Sequence, residues 1–242
     1  MIPNRFPDAG EQPEYNTIDA SLWFVHAIAR YLAASRDDSR VRVTAWPAVR
    51  QILDGYRRGT RYGIRMDQDG LITGGVSGAQ LTWMDAKIGD RVVTPRQGKP
   101  VEIQALWVRA LDAGETLARM FGEASYADQC QADRQRAIAS FQQRFWYEQG
   151  GYLYDVIDGP EGNDTSLRPI NSTQSPWSMT WSRAIAHNTS SGSCRNTSSP
   201  RSDSEHCHLT IRAIVPAMKE AFWNETAPII KARSGHSSWV RW

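Results

Sequence analysis

The sequence predicts a domain of paired helices over residues 1–169, followed by a tail of a different kind. Three observations carry this reading. Apolar residues recur at three- and four-residue steps in four segments, and long loops rich in polar residues join those segments. The composition then changes abruptly near Pro169. Residues 1–169 hold seven serines, 20 basic and 22 acidic residues, whereas the 73 residues from Ile170 hold 14 serines, eight basic and four acidic residues. No internal repeat is visible.

Thr17 or Asp19 can cap a first helix through Ala20 to Leu32, in which Leu22, Val25, Ala29 and Leu32 share a face. Pro47 suits the first turn of a second helix, with Val49, Ile52, Leu53 and Tyr56 on one side. Asp69-Gly70, between two short apolar pieces of the segment 63–72, reads as a hairpin turn. Two longer helices follow at roughly 101–122 and 126–146, and the segment 151–156 resembles a short strand.

The bulk numbers exclude several classes of partner. A net charge of +2 provides no basic stripe for nucleic acid, and no stretch approaches the roughly 20 apolar residues of a membrane span. The N-terminus has no apolar run of signal-peptide type, and Cys130, Cys194 and Cys207 form no disulfide framework, so cytoplasmic residence is expected. Ten tryptophans and eight tyrosines offer flat faces that suit sugar rings, although a core role accounts for most such residues.

The chemistry concentrates after a glycine-rich approach, Gly74-Gly75-Val76-Ser77-Gly78. There Thr82-Trp83-Met84-Asp85 presents an aromatic face and a carboxylate two residues apart, and a second carboxylate follows at Glu102. Glycoside hydrolysis needs one carboxylic acid to protonate the leaving oxygen and a second carboxylate opposite it. Asp85 beside Trp83 fits the acid. The same residues also fit a helix cap and a core tryptophan.

Longer runs narrow the choice. Ile2-Pro3-Asn4-Arg5-Phe6-Pro7-Asp8 and Tyr15-Asn16-Thr17-Ile18-Asp19-Ala20-Ser21-Leu22-Trp23-Phe24 resemble the pattern IPNRFPD…YNTVDASLWF. Thr82-Trp83-Met84-Asp85 matches TWMD, the run 98–107 matches GKPVEIxALW, and Ser166-Leu167-Arg168-Pro169 matches the start of SLRPNQ. In these runs residues 1–169 resemble the amylo-α-1,6-glucosidase domain of bacterial-type glycogen debranching enzymes. The resemblance implies an all-α fold, a partial (α/α)6 toroid of the six-hairpin type with a small β-hairpin insertion.

It also implies an inverting hydrolysis that releases glucose from single-residue α-1,6 stubs of glycogen or a branched α-glucan, with no metal or organic cofactor. Asp85 would be the general acid. Asp19, Trp23, Arg65, Asp67, Trp83, Lys99, Glu102, Gln104 and Trp107 would line the sugar pocket, with Glu102 accepting from a sugar hydroxyl and Lys99 as its neutralising neighbour. A buried structural hydrogen bond or ion pair is the competing role for each. Two other functions stay open: a related (α/α)6 glycosidase acting on another α-glucoside or mannoside, and a glucan-binding chain without catalysis. In the family the run at residues 2–6 is internal, so Met1 is not expected to be the native start.

The resemblance stops at Pro169, and residues 170–242 are expected to be mostly disordered. The genetic code suggests why. When the last base of each codon is read with the first two of the next, Met218-Lys219 and Trp223-Asn224 force glutamate, and Phe222-Trp223 forces leucine. Shifted codons within 213–239 can read ARYEGGVLERDGAYHQGTVWP, close to the family's RYEGGxxERDGAYHQGTVW, and those within 192–212 can read FLPEHLFTPLGLRTLSPDHPR. Losing one base from codons for Pro-Asn-Gln-Phe can yield Pro169-Ile170-Asn171-Ser172. A one-base deletion is therefore expected, which removes the general-base region and leaves the chain inactive. On this reading the tail's glycosylation-type triplets at Asn171, Asn188, Asn196 and Asn224 are accidental, as is the His206-Cys207-His208 cluster.

Overall fold

Helix α1 (Ala20–Ser35) begins where the sequence placed a cap: the Thr17 hydroxyl accepts from the Ala20 backbone N–H at 3.2 Å. The structure is a computed structural model that describes residues 1–171 except 6–9, 36 and 90. Of the expected tail only Ile170 and Asn171 are described; they complete a short helical turn, Pro169–Asn171, and Ile170 is buried in the core. The rest of that tail, with the triplets at Asn188, Asn196 and Asn224 and the His206-Cys207-His208 cluster, lies outside the described residues. Leu22, Val25 and Leu32 of α1 are buried, while Trp23 and Tyr31 on its other side are 41% and 40% exposed.

A short turn of helix, α2 (Asp38–Arg40), leads through a wider turn, Val41–Ala45, into α3 (Trp46–Arg58). Pro47 explains the widening. It has no N–H to donate, and its ring would strike the carbonyl one turn back, so the chain loosens and Trp46 N–H reaches the Val41 carbonyl. The buried face of α3 comprises Trp46, Val49, Ile52, Leu53 and Tyr56, which includes all four residues expected there.

The hairpin at Asp69-Gly70 forms. Strands β1 (Arg65–Met66) and β2 (Ile72–Thr73) pair antiparallel with Met66 opposite Ile72. Gly70 has φ +82, and a Cβ there would lie 2.9 Å from the Ala137 backbone nitrogen, so only glycine lets the turn approach the helix that carries Ala137 this closely.

Helices α4 (Val101–Met120) and α5 (Ala124–Arg144) form the central antiparallel pair, with bounds within two residues of those expected. α4 is buried on most sides because it also packs against α1 and α3. At its centre Tyr56 stacks on Trp107 with ring centroids 5.8 Å apart, and the Tyr56 hydroxyl donates to the Ile18 carbonyl at 2.7 Å.

The single expected hairpin insertion needs correction, because four small sheets occur among the described residues. Besides β1–β2 there are β3 (Lys87–Ile88) with β4 (Arg91–Val92), and β6 (Trp146–Tyr147) with β7 (Tyr152–Leu153). The fourth sheet has three strands, in which β8 (Val156–Gly159) pairs with both β5 (Lys99–Pro100) and β9 (Gly162–Asp164). The strand expected at 151–156 is split: Tyr154 and Asp155 turn the chain between β7 and β8. Strands of two to four residues carry too little alternation to be read from sequence. The architecture is mostly helical with small sheets.

Candidate functional site

The run 98–107 enters α4 through β5, which places Lys99 beneath the hairpin turn. Its side chain is 3% exposed and faces three carboxylates, Asp69 at 2.8 Å, Asp158 at 2.9 Å and Asp67 at 3.2 Å. Burial pulls the Lys99 ammonium toward neutrality, but its hydrogen bonds to Asp69, Asp158 and Asp67 outweigh that and raise its pKa. Burial likewise opposes the charge on Asp67, yet the Gln68 backbone N–H and Lys99 hold its carboxyl below the usual range. Arg144 from the end of α5 closes the cluster on Asp69 and Asp158.

A second buried cluster lies one step along α4. Glu102 is paired bidentately with Arg96, whose guanidinium also donates from Nε and Nη2 to Asp155 at 2.9 Å each. Asp155 is fully buried and takes a further bond of 2.6 Å from Arg168. Burial pushes the Glu102 carboxyl up against the opposing pull of Arg96. Glu102 is therefore neutralised by Arg96; Lys99 engages the hairpin carboxylates instead.

Gln104 and Trp107 are wholly buried. Gln104 Oε1 accepts from the Ile72 N–H at 2.8 Å, and Nε2 donates to the Ile72 carbonyl at 2.8 Å and the Pro100 carbonyl at 3.1 Å. Trp107 Nε1 donates to the Gly70 carbonyl at 3.1 Å. Neither side chain offers surface to a ligand here. Both hold the hairpin against α4.

The other expected residues face outward. Ile18 N–H donates to the Leu81 carbonyl at 2.8 Å, which ties the start of α1 to the loop carrying Trp83 and Asp85. Trp83 is 53% exposed and Asp85 is exposed, and Asp85 leads into β3, so neither the helix cap nor the core tryptophan is realised. Asp19 is half-buried, with one oxygen accepting from the Thr17 hydroxyl. Trp23 stands edge-on to His26 with centroids 5.7 Å apart, and Arg65 is exposed.

Arg96, Asp155 and Asp158 were not anticipated. Their signals were a lone arginine two residues ahead of the Gly98-Lys99-Pro100 motif, and aspartates flanking the apolar pair Val156-Ile157, where burial demands a partner. Among the described residues no group of three or more His, Cys, Asp or Glu is arranged to hold a metal ion, and no helix is long and apolar enough to cross a membrane.

No curated protein matches the chain. A GH78 family rhamnosidase of Bacillus sp. GL1 is similar at 19% identity over 64% of this chain, with a TM-score of 0.51. A rhamnosidase from Klebsiella oxytoca with rhamnose bound is similar at 18% identity over 76% of this chain and 33% of its own, with a TM-score of 0.48. This chain covers 15% of the Bacillus enzyme's length, and at such identity the likeness concerns the fold alone. The sequence profile described as amylo-alpha-1,6-glucosidase matches residues 1–184, which is 15 residues past Pro169. With that match spanning most of its length and the motif residues gathered around the start of α4, the chain belongs to the amylo-alpha-1,6-glucosidase family.

Proposed function

We propose that the chain derives from an inverting α-1,6-glucosidase that frees glucose from the branch stubs of glycogen, built on a partial (α/α)6 toroid and working in the cytoplasm. The observation that carries the reading is the Ile18–Leu81 backbone bond, which ties the segment just before α1 to the loop that carries Trp83 and Asp85, both exposed. Asp85 serves as the general acid toward the glycosidic oxygen. Asp19, Trp23, Arg65, Asp67 and Trp83 meet the sugar directly, the two indoles as stacking faces. Lys99, Glu102, Gln104 and Trp107 act from beneath, by holding the hairpin and the 95–100 loop in place.

Inversion requires a base that activates water on the opposite face of the ring, with the carboxyl groups roughly 6.5–9.5 Å apart. In this reading the base was encoded beyond Pro169 and is lost by the one-base deletion, so the chain as written is inactive. The test is to resequence the codons for residues 168–172, then assay both the present chain and a frame-restored one on a glycogen limit dextrin. The restored chain should release glucose as the β-anomer first, and the present chain none. An unbroken frame encoding this tail, or hydrolysis by the present chain, sinks the proposal. Turnover of another α-glucoside or mannoside in preference would mark a related glycosidase. Saturable glucan binding with no turnover by the restored chain would mark a binding protein.

A further inference from the structure

The run Thr82-Trp83-Met84-Asp85 alternates in its surroundings. Thr82 is buried and Met84 packs in part against the core, whereas Trp83 and Asp85 are exposed. Burial of every second side chain sets the side on which Asp85 stands. It does not set how far the carboxyl reaches, because among the described residues no backbone or side-chain group of these four residues makes a hydrogen bond.

The run is held at its ends instead. At the near end the Leu81 carbonyl accepts from the Ile18 N–H at 2.8 Å. At the far end the Ala86 carbonyl accepts twice, from the Val93 backbone N–H at 3.1 Å and from the half-buried Gln80 side-chain amide, Nε2, at 2.8 Å. The Gln80 bond differs from the other two. It starts before the loop and ends after it, so it closes Leu81 to Ala86 into a ring, and Ala86 directly follows Asp85. A ring closed in this way leaves the residues within it fewer conformations.

Proton delivery is sensitive to such a restraint. A general acid must lie within about 2.6–3.2 Å of the oxygen that it protonates, and a displacement of about 1 Å can cost on the order of a hundredfold in rate. We propose that Gln80 is a positioning residue for Asp85, acting through the Ala86 carbonyl to hold the carboxyl within reach of the glycosidic oxygen. The inference rests on the reading of Asp85 as general acid and adds the group that holds it there.

Gln80→Met keeps the length of the side chain and removes its donor. In the chain as it stands, hydrogen exchange followed by NMR should quicken about three- to tenfold at Val93, whose N–H shares the Ala86 carbonyl, with circular dichroism unchanged. In the frame-restored chain the same substitution should lower kcat on a limit dextrin about three- to tenfold and leave KM within about twofold. Turnover of α-glucosyl fluoride, whose leaving group needs no proton, should keep its rate. Added to Asp85→Asn, Gln80→Met should bring no further loss on dextrin, because no acid is left to position. Equal losses on both substrates, or a loss that adds in full to that of Asp85→Asn, would make Gln80 a structural brace and overturn the proposal. Unchanged exchange at Val93 overturns it as well. A restored parent chain that turns over neither substrate defeats the glucosidase reading and the positioning role with it, whereas an active parent whose dextrin turnover is indifferent to Gln80→Met defeats the positioning role alone.

Discussion

The Lys99 ammonium lies 2.9 Å from the Asp158 carboxylate, and the backbone of Asp158 is left-handed at φ 55 where β8 bulges between Val156 and Gly159. The bulge turns the aspartate so that it meets both Lys99 and Arg144. Removing the cation should cost far more than removing this one anion. Lys99→Met leaves Asp67, Asp69 and Asp158 facing one another with only Arg144 among them, and should lower unfolding free energy by about 2–3 kcal/mol, discounted for the exposure of the three acids. Asp158→Asn, which tolerates the same backbone, should cost under about 1 kcal/mol. Urea denaturation of the two variants decides between a central cation and a set of independent surface pairs.

The acid limb of stability follows from the same cluster. Asp67, Asp158 and Asp164 are each held below the usual carboxylate range against the effect of burial, Asp67 chiefly by Gln68 N–H and Lys99, Asp158 by Arg144 and Lys99, and Asp164 by Ser166 and Arg168. A carboxyl with a depressed folded-state pKa contributes stability that is complete above its unfolded value of about 3.9 and is lost as pH falls through the folded value. The urea midpoint should therefore hold from neutrality to about pH 5 and drop below about pH 4. Asp158→Asn should flatten that drop. An acid limb unchanged in this variant would remove the cluster as its cause.

Two glycines with nearly the same backbone separate strain from collision. Gly70 and Gly122 have φ +82 and +81, but a Cβ on Gly122 meets nothing within 4 Å, whereas one on Gly70 would press on the backbone of α5. Gly122→Ala should cost about 1 kcal/mol, the ordinary penalty of a left-handed residue with a side chain. Gly70→Ala should exceed it by a further ~1–2 kcal/mol, since backbone at 2.9 Å cannot yield as a side-chain tip can. Equal losses would mean that the hairpin turn moves freely on α5.

These clusters also show which features were legible in the sequence. The α3 face of Val49, Ile52, Leu53 and Tyr56 and the long pair α4–α5 could be read because helical periodicity is a local signal repeated over many residues. Asp69-Gly70 was legible as turn chemistry. The partner of Glu102 was not. Lys99 is closer in sequence to the conspicuous motif, but the pleat of β5 sends it to the hairpin side, and the guanidinium of Arg96 reaches Glu102 because Asp155 folds back from β8 to share it. Pairings of this kind depend on strands of two residues, which leave no periodic trace. The motif points Gln104 and Trp107 toward the sugar, while the packing of α4 against the hairpin commits their polar atoms to Ile72, Pro100 and Gly70.

Tyr56 tests that packing. Its hydroxyl is buried against the Ile18 carbonyl, and burial raises its pKa well above the ordinary phenol value. Tyr56→Phe keeps the stacking on Trp107 but strands the carbonyl, and should cost about 1–2 kcal/mol in a thermal or urea melt. The Ile18 N–H is the group that bonds Leu81, so the loss should also loosen the 81–85 loop, seen as faster hydrogen exchange at Ile18. Exchange at Ile18 unaltered by the substitution would show that the loop is anchored independently of Tyr56.

Asp85 should behave in the opposite way to all these residues. It is exposed, and among the described residues it makes no hydrogen bond or ion pair, so Asp85→Asn should leave stability within about 0.5 kcal/mol of the parent chain. Its effect should appear only in chemistry: in the frame-restored chain the loss of a general acid should reduce the rate on a limit dextrin about 10²- to 10⁴-fold. A substrate whose leaving group departs without protonation, such as an α-glucosyl fluoride, should be spared most of that loss, because the acid has no proton to deliver to it. A structural role would depress both substrates alike and lower the melting temperature with them. A stable variant that keeps its fluoride activity and loses its dextrin activity would assign the proton to Asp85.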